Sequence, residues 1–498
     1  MTKSVLLNIL KKKEFCKATT LILLIYGFFS CSKSVAPPEP IYPLPSEKQL
    51  AWHELEMYAF IHFTTNTFTD LEWGYGDEDP NVFNPGPEFD PNQWAKVIKD
   101  AGLKGIVFTC KHHDGFALWP SKYTEHSVKN SRWMNGKGDV VRAVSDACKK
   151  YGLKFGVYLS PWDRNRADYG SPSYVEYYRN QLKEVFTLYE PVFEMWFDGA
   201  NGGDGYYGGA KEKREINTGY YNWPETIDLV EELEPEIILF SDFGPDVRWC
   251  GNEEGYAGDP NWSMINKDSI EKKLITGKEK KAYLNKGRPY GTSFIPAEVD
   301  VSIRPGWFYH ANEDTQVKSP EELFDIYLTS VGRGSNLILN IPPDRRGLIH
   351  ENDVASLLKW KELINERFAS NLVGQGKISV SSYRGGKDTY SAQKMVDENK
   401  DTYWATDDGV QKGIIEIEFP EDKKISYLLI QEYIRLGQRV KQFNVEAWEE
   451  DKWVEVGNGA TIGYKRIVRL NSPKLTKKIR INILDSKTCP LISNIEIY

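Results

Sequence analysis

The sequence predicts an α/β fold, a (β/α)8-type barrel followed by a C-terminal β-sandwich. Two observations predict the barrel. Short apolar runs alternate with amphipathic stretches over about 300 residues, and a helix closed by glycine and followed at once by an apolar strand occurs both at 100–107 and at 150–157. The sandwich is predicted because the helical period disappears after residue 375 and short alternating strands replace it.

The barrel domain is assigned to residues 47–368, with elements that follow from the periodicity. Six apolar runs are candidate strands: 57–63, 105–110, 154–160, 193–198, 237–242 and 336–341. Four amphipathic stretches are candidate helices: 91–101, 140–151, 174–189 and 224–233. A doubly wound open sheet is the alternative. The closed barrel is favoured because no Gly-rich phosphate-binding loop follows any of these strands.

Residues 369–498 are predicted to form the β-sandwich. Its candidate strands are the alternating runs at 413–419, 425–432, 442–448, 465–470 and 478–483. The opening segment, Asp-Glu-Asn-Lys-Asp-Thr-Tyr-Trp at 397–404, resembles discoidin-like domains. Such domains are often attached to carbohydrate enzymes, where they either bind sugar or brace the catalytic domain. The sequence leaves both roles open.

The N-terminus carries an export signal. Lysines precede an apolar run at 21–29, and Ser30-Cys31 follows in the manner of a lipobox. Residues 1–30 are therefore predicted to be a lipoprotein signal peptide, with Cys31 lipidated and residues 31–46, which hold five prolines, forming a tether. An uncleaved anchor is the alternative, although the run is short for a spanning helix. We expect an exported bacterial lipoprotein, in the periplasm or on the outer membrane, that meets the membrane only through this anchor.

Composition excludes several classes of function. The net charge is −8 and the body of the chain has no basic run, which argues against nucleic acid as a partner. Four cysteines outside the signal have no paired spacing, so neither a disulfide framework nor a zinc motif is indicated: Cys110, Cys148, Cys250 and Cys489. The 15 Trp, 28 Tyr and 22 Phe suit stacking against sugar rings and large cores equally well. The sequence makes no prediction of oligomeric state.

Polar side chains follow the predicted barrel strands at their C-terminal ends, where barrel enzymes carry their chemistry. These residues are His62, the pair His112 and His113, Tyr158, Asp198 and Asp242. A lone histidine at such a place is often a simple hydrogen bonder, whereas an adjacent pair followed by Asp-Gly indicates a site. A metal site built from the three histidines is disfavoured because neighbouring strand residues point to opposite faces.

Residues 194–200 read Glu-Met-Trp-Phe-Asp-Gly-Ala. This apolar, aromatic run delivers a single carboxylate, Asp198, at the expected end of a strand and then breaks at glycine. We therefore interpret Asp198 as a candidate nucleophile.

A site that hydrolyses glycosides needs a second carboxyl group to donate a proton to the leaving oxygen. Residue types alone leave Glu253, Glu254 and Glu298 as candidates. An apolar neighbour such as Trp249 and the charge of Asp198 would favour the acid form of Glu253. Glu254 is expected to be a solvated loop carboxylate.

Six motifs taken together carry a resemblance to a known family. They are His62-Phe63, Glu72-Trp73-Gly74, Lys-His-His-Asp-Gly-Phe at 111–116, Trp-Phe-Asp-Gly-Ala at 196–200, Ser-Asp-Phe-Gly-Pro-Asp-Val-Arg-Trp at 241–249 and Asp-Val-Ser-Ile-Arg-Pro-Gly-Trp-Phe at 300–308. In this order, over residues 50–345, the chain resembles the α-L-fucosidases of glycoside hydrolase family 29. It is most similar to the branch selective for α-1,3- and α-1,4-linked fucose.

The resemblance implies a retaining hydrolase that needs no cofactor and no metal, with fucosylated oligosaccharides or glycoconjugates as substrates. Asp198 matches the nucleophile that forms a covalent glycosyl-enzyme, and Glu253 matches the acid/base. Glu298 is the reserve acid/base, and its other expected role is to hold hydroxyls of the leaving sugar. A glycan-binding lipoprotein without activity and a different retaining exo-glycosidase on the same barrel stay open as alternatives.

The same resemblance implies the residues of the fucose pocket. They are His62, Glu72, Trp73, His112, His113, Tyr158 and Trp196, with Arg248 and Trp307 nearby. A Tyr- and Gly-rich insertion at 201–219 departs from the family pattern. We expect this insertion to border the site of the leaving group and to affect which branched glycans fit.

Overall fold

The computed structural model describes residues 35–189, 191–217 and 219–498. The predicted signal peptide, Cys31 and the first part of the predicted tether lie outside these residues. Within the described ranges, no helix has the length and apolar character needed to cross a membrane. Part of the predicted tether belongs to the folded body, because Ile41 N donates to Leu436 O (3.0 Å) and Arg439 Nη2 donates to Glu39 O (2.7 Å).

Eight parallel strands close into a barrel. In chain order they are β1 (Met57–Ile61), β2 (Gly105–Lys111), β3 (Lys154–Leu159), β4 (Glu194–Trp196), β5 (Ile238–Ser241), β6 (Val247–Trp249), β7 (Ala297–Ser302) and β8 (Asn336–Asn340). Their spatial order is β1-β8-β7-β6-β5-β4-β3-β2, and every neighbouring pair is parallel. The closed barrel confirms the predicted fold class.

Strands β6 and β7 were not among the predicted strands. β6 has three residues and follows β5 after the segment 242–246, without an intervening helix. β7 reads Ala-Glu-Val-Asp-Val-Ser, and its carboxyl groups interrupt the apolar pattern that marks a buried parallel strand. These two strands were missed because one is too short and the other is polar on the face that points into the barrel.

The α-helices surround the barrel and fill the connections between its strands. They are Glu47–His53, Thr65–Thr69, Pro91–Asp100, Val140–Tyr151, Pro172–Leu188, Trp223–Leu233, Lys267–Glu271, Gly277–Lys286, Pro320–Thr329 and Glu351–Arg367. Gly102 and Gly152 follow two of them with φ of 86° and 70°, the left-handed conformation that ends a helix before the next strand. The barrel interior is itself packed, chiefly by aromatic side chains that include Tyr58, Phe60 and Trp196.

The C-terminal domain is a β-sandwich built from one connected set of seven antiparallel strands. They are Lys377–Val380, Trp404–Ala405, Gly413–Glu432, Val440–Glu449, Lys452–Gly459, Arg466–Ser486 and Leu491–Ile497. Two pairs of predicted strands are each one long strand, Gly413–Glu432 and Arg466–Ser486. These two strands pair with each other on both sides of a register shift between Glu418 and Lys423, so the segment 419–422, which resembles a turn, is an irregularity within one continuous strand.

The sandwich is bound to the outside of the barrel domain. Arg466 Nη2 and Asp259 Oδ2 form an ion pair of 2.5 Å across this contact. Ser263 N donates to Gln438 Oε1 at 2.9 Å in a buried position. The domain thus braces the connection between β6 and β7, which carries residues of the site described next.

Candidate active site

A cavity of about 400 Å³ opens at the C-terminal ends of the barrel strands. It is lined by Phe60, His62, Glu72, Trp73, His112, His113, Tyr158, Trp196, Asp198, Gly199, Ala200, Phe240, Asp242, Trp249, Glu253, Asp300 and Trp307. All the site residues predicted from sequence within the barrel domain are therefore brought together here, except Arg248 and Glu298.

Asp198 lies just beyond β4 and is held by hydrogen bonds to both carboxylate oxygens. Tyr158 Oη donates to Oδ2 (2.8 Å), and the backbone N of Ala200 donates to Oδ1 (2.7 Å). Residue 199, between Asp198 and Ala200, has no room for a side chain, because a Cβ there would lie 2.4 Å from Oδ1 of Asp242, which follows the neighbouring strand β5. The carboxylate is thus fixed in one orientation while 22% of its side chain stays exposed to the cavity.

His113 presents an acceptor nitrogen next to this carboxylate. Ser160 Oγ donates to Trp162 O (2.8 Å), so it accepts the proton of His113 Nδ1 (2.8 Å). The other ring nitrogen, Nε2, then carries a lone pair and lies 3.7 Å from Asp198 Oδ2. A hydroxyl group placed between these two acceptors could donate to either of them.

His62 and His112 complete the polar wall. The amide nitrogen of Asn340 donates to two other acceptors, so its Oδ1 accepts from His62 Nδ1 (2.8 Å) and leaves Nε2 of His62 as an acceptor. Asn66 Nδ2 makes a long contact of 3.5 Å with His112 Nδ1. His62 and His113 therefore each offer an acceptor nitrogen to the cavity.

Burial keeps these rings uncharged at neutral pH. It lowers the pKa of His62 to about 4 and that of His113 to about 4. The pKa of His112 is well below its ordinary value because of burial and then the neighbouring histidines. The wall thus presents hydrogen-bonding groups to the cavity without net charge.

Glu72 connects two loops at the cavity mouth. Its Oε2 accepts from Trp307 N (2.9 Å), and its Oε1 accepts from Phe308 N (3.1 Å) and contacts His310 Nε2 (2.8 Å). Because both oxygens are engaged, Glu72 fixes the position of Trp307 as well as lining the cavity.

Glu253 lies on an exposed loop after β6, where Trp307 Nε1 donates to its Oε2 at 3.3 Å. Trp249, which was predicted to favour the acid form of Glu253 as an apolar neighbour, donates its Nε1 proton to Asp300 Oδ1 (3.0 Å). Burial and the charge of Glu253 raise the pKa of Asp300 well above its usual range. Glu254 is exposed and does not line the cavity.

The expectation that Arg248 lies near the pocket is wrong. Its guanidinium is fully buried outside the barrel lumen and donates to the carbonyls of Leu284 (2.8 Å), Trp262 (2.9 Å) and Ile295. Side chains alternate along β6, so Trp249 points to the cavity while Arg248 points away from it. Its role is to tie the segment after β6 to the barrel wall.

Glu298 lies beneath the cavity and does not line it, which argues against its reserve role as acid/base and against contact with the leaving sugar. It is fully buried; its Oε1 accepts from Trp196 Nε1 (3.0 Å) and its Oε2 accepts from the Tyr58 hydroxyl. Burial raises the pKa of Glu298 and of the adjacent Glu194, so this pair retains a proton. Glu298 orients Trp196, which lines the cavity above it.

Seven lining residues were not assigned to the pocket from the sequence, although Asp242 had been noted as a polar residue at a strand end: Phe60, Gly199, Ala200, Phe240, Asp242, Trp249 and Asp300. Phe60 precedes His62 by two positions and Phe240 precedes Asp242 by two, which is the strand period for side chains on one face. This two-residue period could have identified Phe60 and Phe240 from the sequence. The rings of Phe240 and Trp196 stack at 4.0 Å and form an apolar wall opposite the histidines.

None of the described residues of the insertion, 201–217 and 219, lines the cavity. The expectation that the insertion borders the site of the leaving group stays a prediction. It forms a hairpin of two short strands, Gly203–Gly205 and Glu212–Arg214. This insertion hairpin, residues 203–214, packs behind the loop that carries Trp73.

Comparisons with known proteins agree with this geometry. The family model for α-L-fucosidase matches residues 22–366, and the model for the F5/8 type C domain matches residues 377–496. The chain is 39% identical to α-L-fucosidase 1 of Arabidopsis thaliana over 96% of this chain and 94% of the relative.

Solved structures are similar over nearly the whole chain. A putative α-L-fucosidase from Bacteroides thetaiotaomicron is 42% identical with a TM-score of 0.84, covering 93% of this chain and 99% of that one. A family 29 fucosidase of Ruminococcus gnavus in complex with fucose is 32% identical with a TM-score of 0.83, covering 94% and 97%. The chain therefore belongs to the α-L-fucosidases of glycoside hydrolase family 29 and carries an F5/8 type C domain at its C-terminus.

Proposed function

We propose that this α-L-fucosidase is a retaining enzyme that releases terminal α-1,3- or α-1,4-linked L-fucose from branched glycans. One observation carries the proposal. Asp198, held rigidly at a strand end, and Glu253, on an exposed loop, line the same cavity with the neutral histidine wall beside them. A pair of carboxyl groups around one sugar site is the requirement for glycoside hydrolysis.

The chemistry consists of two displacements. The Asp198 carboxylate attacks C1 of fucose while the bond from C1 to the leaving oxygen breaks and Glu253 gives that oxygen its proton. Glu253, now a carboxylate, then takes a proton from water, the water oxygen bonds to C1, and the Asp198 ester bond breaks. Glu253 ends protonated and Asp198 ionised, ready for the next substrate.

A deoxy sugar suits the contacts of the cavity. The acceptor nitrogens of His62 and His113 can pair with ring hydroxyls, which would lose hydrogen bonds if buried alone. Phe60, Trp196 and Phe240 supply apolar area for the C6 methyl group. The combination favours 6-deoxyhexoses over hexoses, whose extra hydroxyl would meet an apolar wall.

The linkage preference rests on the six sequence motifs and is tested with a substrate panel. We expect fucose release from 3- and 4-fucosylated lacto-N-biose or N-acetyllactosamine oligosaccharides, and little release from 2'-fucosyllactose. An aryl α-fucoside serves as the control for overall activity. Equal rates on all oligosaccharides would contradict the proposed linkage preference but not the fucosidase activity.

Azide rescue tests the two roles independently. In Glu253→Ala, azide is expected to attack the covalent intermediate and give α-fucosyl azide from an aryl α-fucoside. In Asp198→Ala, azide replaces the nucleophile and gives β-fucosyl azide. Asp300→Asn is the matched control at the neighbouring carboxyl group, and rescue of this variant in place of Glu253→Ala would move the acid/base role to Asp300.

The proposal includes export as a lipoprotein, supported by the lysines, the apolar run and Cys31 in the sequence. Expressed in a bacterial host, the full chain is expected to fractionate with membranes and to incorporate labelled palmitate. Cys31→Ala should lose the label and the membrane association while keeping fucosidase activity. Membrane association of Cys31→Ala would instead support an uncleaved anchor.

A further inference from the structure

The insertion hairpin is joined to the loop of residues 72–78, here the Trp73 loop, by Arg164. Arg164 Nη1 donates to Gly74 O (2.5 Å) and makes a long contact of 3.4 Å with Trp73 O. From the same guanidinium, Nε donates to Asp204 O (2.8 Å) and Nη2 to Asp204 Oδ1 (3.1 Å). Tyr206 N adds a direct bond between the two segments by donating to Tyr75 O (3.0 Å).

The position of Arg164 is determined closely by these contacts. The residue is 5% exposed, and its guanidinium lies 5.1 Å from the ring centre of Tyr75 and 5.2 Å from that of Trp162. A buried guanidinium is stable only when its donors are satisfied. The carbonyl groups of Asp204 in the hairpin and Gly74 in the loop must therefore both stay within hydrogen-bonding distance of Arg164. The backbone N of Arg164 also donates to His113 O (2.9 Å), which anchors it to the histidine wall.

Trp73 is the part of this loop that faces the cavity. Its ring packs edge-on against His113 (5.3 Å between centres) and Trp162 (5.6 Å). The side chain nevertheless stays 54% exposed, more than an indole inside a closed fucose pocket would be. The exposed indole lies at the mouth, where a sugar attached to fucose would pass.

We propose that the insertion hairpin and Arg164 determine specificity for the leaving sugar by positioning Trp73. Arg164 is a positioning residue in this scheme, because it does not line the cavity. The inference rests on the proposed function for the identity of the substrate. In this scheme the hairpin affects which glycans fit although none of its residues, 203–214, lines the cavity.

Two variants disturb the contact between the insertion hairpin and the Trp73 loop, one at Arg164 and one within the hairpin. Arg164→Met removes the bridging hydrogen bonds. Gly205→Ala keeps Arg164 but places a Cβ 2.9 Å from the Tyr207 ring and 3.1 Å from Arg164 Cβ, which pushes the hairpin away. Lys213→Ala, at an exposed position on the same hairpin, is the matched control and should behave as wild type.

The substrates separate leaving-sugar recognition from chemistry. One is a trisaccharide with fucose α-1,4-linked to N-acetylglucosamine, and the other is α-L-fucosyl fluoride, which has no leaving sugar. We expect both variants to lower kcat/KM for the trisaccharide about tenfold, mainly through KM, and to change the fluoride rate less than about twofold. Equal losses on both substrates would overturn the proposal, because they would indicate general damage to the site.

A double-mutant cycle tests whether the effect passes through Trp73. In a Trp73→Ala background, Arg164→Met should cost less than about twofold on the trisaccharide. Multiplicative losses would show that Arg164 acts by another route and would overturn the proposal.

Hydrogen exchange tests the same support of the Trp73 loop without an activity assay. It applies if a variant folds poorly or if the natural substrate is different. In Gly205→Ala and in Arg164→Lys, amides of residues 72–78 should exchange faster than in wild type while the barrel strands keep their protection. Unchanged exchange in the Trp73 loop would contradict the proposal, whatever the activity. Absence of fucose release by wild type, with faster loop exchange in the variants, would contradict only the proposed function.

Discussion

The two ends of the cavity are built differently. At the inner end, Asp198, His62 and His113 lie at strand ends, buried or nearly so, and each has a hydrogen-bond partner from the barrel. At the mouth, Glu253 and Trp73 lie on loops and are exposed, and the carboxyl group of Glu253 is held by one tryptophan N–H at 3.3 Å.

The difference matches the two parts of a substrate: the fucose unit, which every fucoside shares, and the leaving group, which varies among glycans. Under the proposed mechanism, a rigid inner end preorganises the nucleophile and the acceptors for the fucose unit that all substrates share. A mouth built from loops would allow the proposed acid/base and the aromatic wall to adapt to different leaving groups. Variants at the inner end should therefore affect all substrates alike, and variants at the mouth should depend on the leaving group.

The largest effect is expected at the nucleophile. Asp198→Ala should lower kcat on every fucoside on the order of 10⁴-fold or more, since Asp198 is the carboxylate proposed to form the bond to C1. Steady-state rates on the trisaccharide, an aryl fucoside and fucosyl fluoride measure this. A loss confined to one leaving group would contradict the assignment of Asp198 to the inner end.

Glu253→Ala should show a loss that follows the leaving group. For a sugar leaving group, which needs a proton, kcat is expected to fall roughly 10²- to 10⁴-fold. Fucosyl fluoride and aryl fucosides with acidic phenols should lose far less in the first step. Losses that are the same for all leaving groups would show that Glu253 is not the proton donor.

Stability should respond to pH through the buried histidines of the inner end. The pKa of His62 is lowered to about 4, so between that value and the ordinary one the unfolded state binds more protons. The free energy of unfolding is then highest above the ordinary pKa and falls as pH drops toward about 4, by up to about 3 kcal/mol for this residue.

Urea unfolding at about pH 7.5 and pH 5 measures this dependence, with His62→Gln compared with wild type. The variant should lose part of the pH dependence. Glu253→Gln at the exposed mouth is the control and should not. If wild type and His62→Gln show the same slope with pH, the histidine is not buried in its neutral form.

A smaller effect is expected beneath the cavity. Glu298→Leu leaves the N–H of Trp196 and the hydroxyl of Tyr58 without an acceptor, which should destabilise the fold by about 1–3 kcal/mol per group and lower kcat about tenfold. Glu298→Gln keeps an acceptor and should keep most activity. Near-complete loss in Glu298→Gln, reversed by azide, would restore the reserve role as proton donor.

Much of the inner end could be predicted from the sequence, because its residues follow directly after buried strands. The four residues Asp198, His62, His112 and His113 follow the ends of strands. In a parallel barrel all these ends lie at one face, so position in the chain predicts position in space. Arg248 shows the limit of the same reasoning: membership in a motif was taken as proximity, although the alternation along its strand points it away from the cavity.

The mouth was harder to predict because it depends on contacts between loops far apart in the chain. Nothing near Glu253 in sequence indicates that its donor is Trp307, or that Trp249 is bonded to Asp300. The depth of Glu298 was missed because it lies on β7, a strand whose polar inward face hides its period. The pairing of the insertion hairpin with the Trp73 loop is likewise a tertiary contact.

Trapping of the covalent intermediate tests most directly whether the rigid inner end holds the nucleophile. Wild-type enzyme is incubated with 2-deoxy-2-fluoro-L-fucosyl fluoride, digested and mapped by mass spectrometry, with Asp198→Ala as the control. We expect one fucosyl adduct, on Asp198, that decays as activity returns. An adduct on another carboxylate, or turnover with inversion at C1 and no adduct, would contradict the retaining mechanism and the role assigned to Asp198.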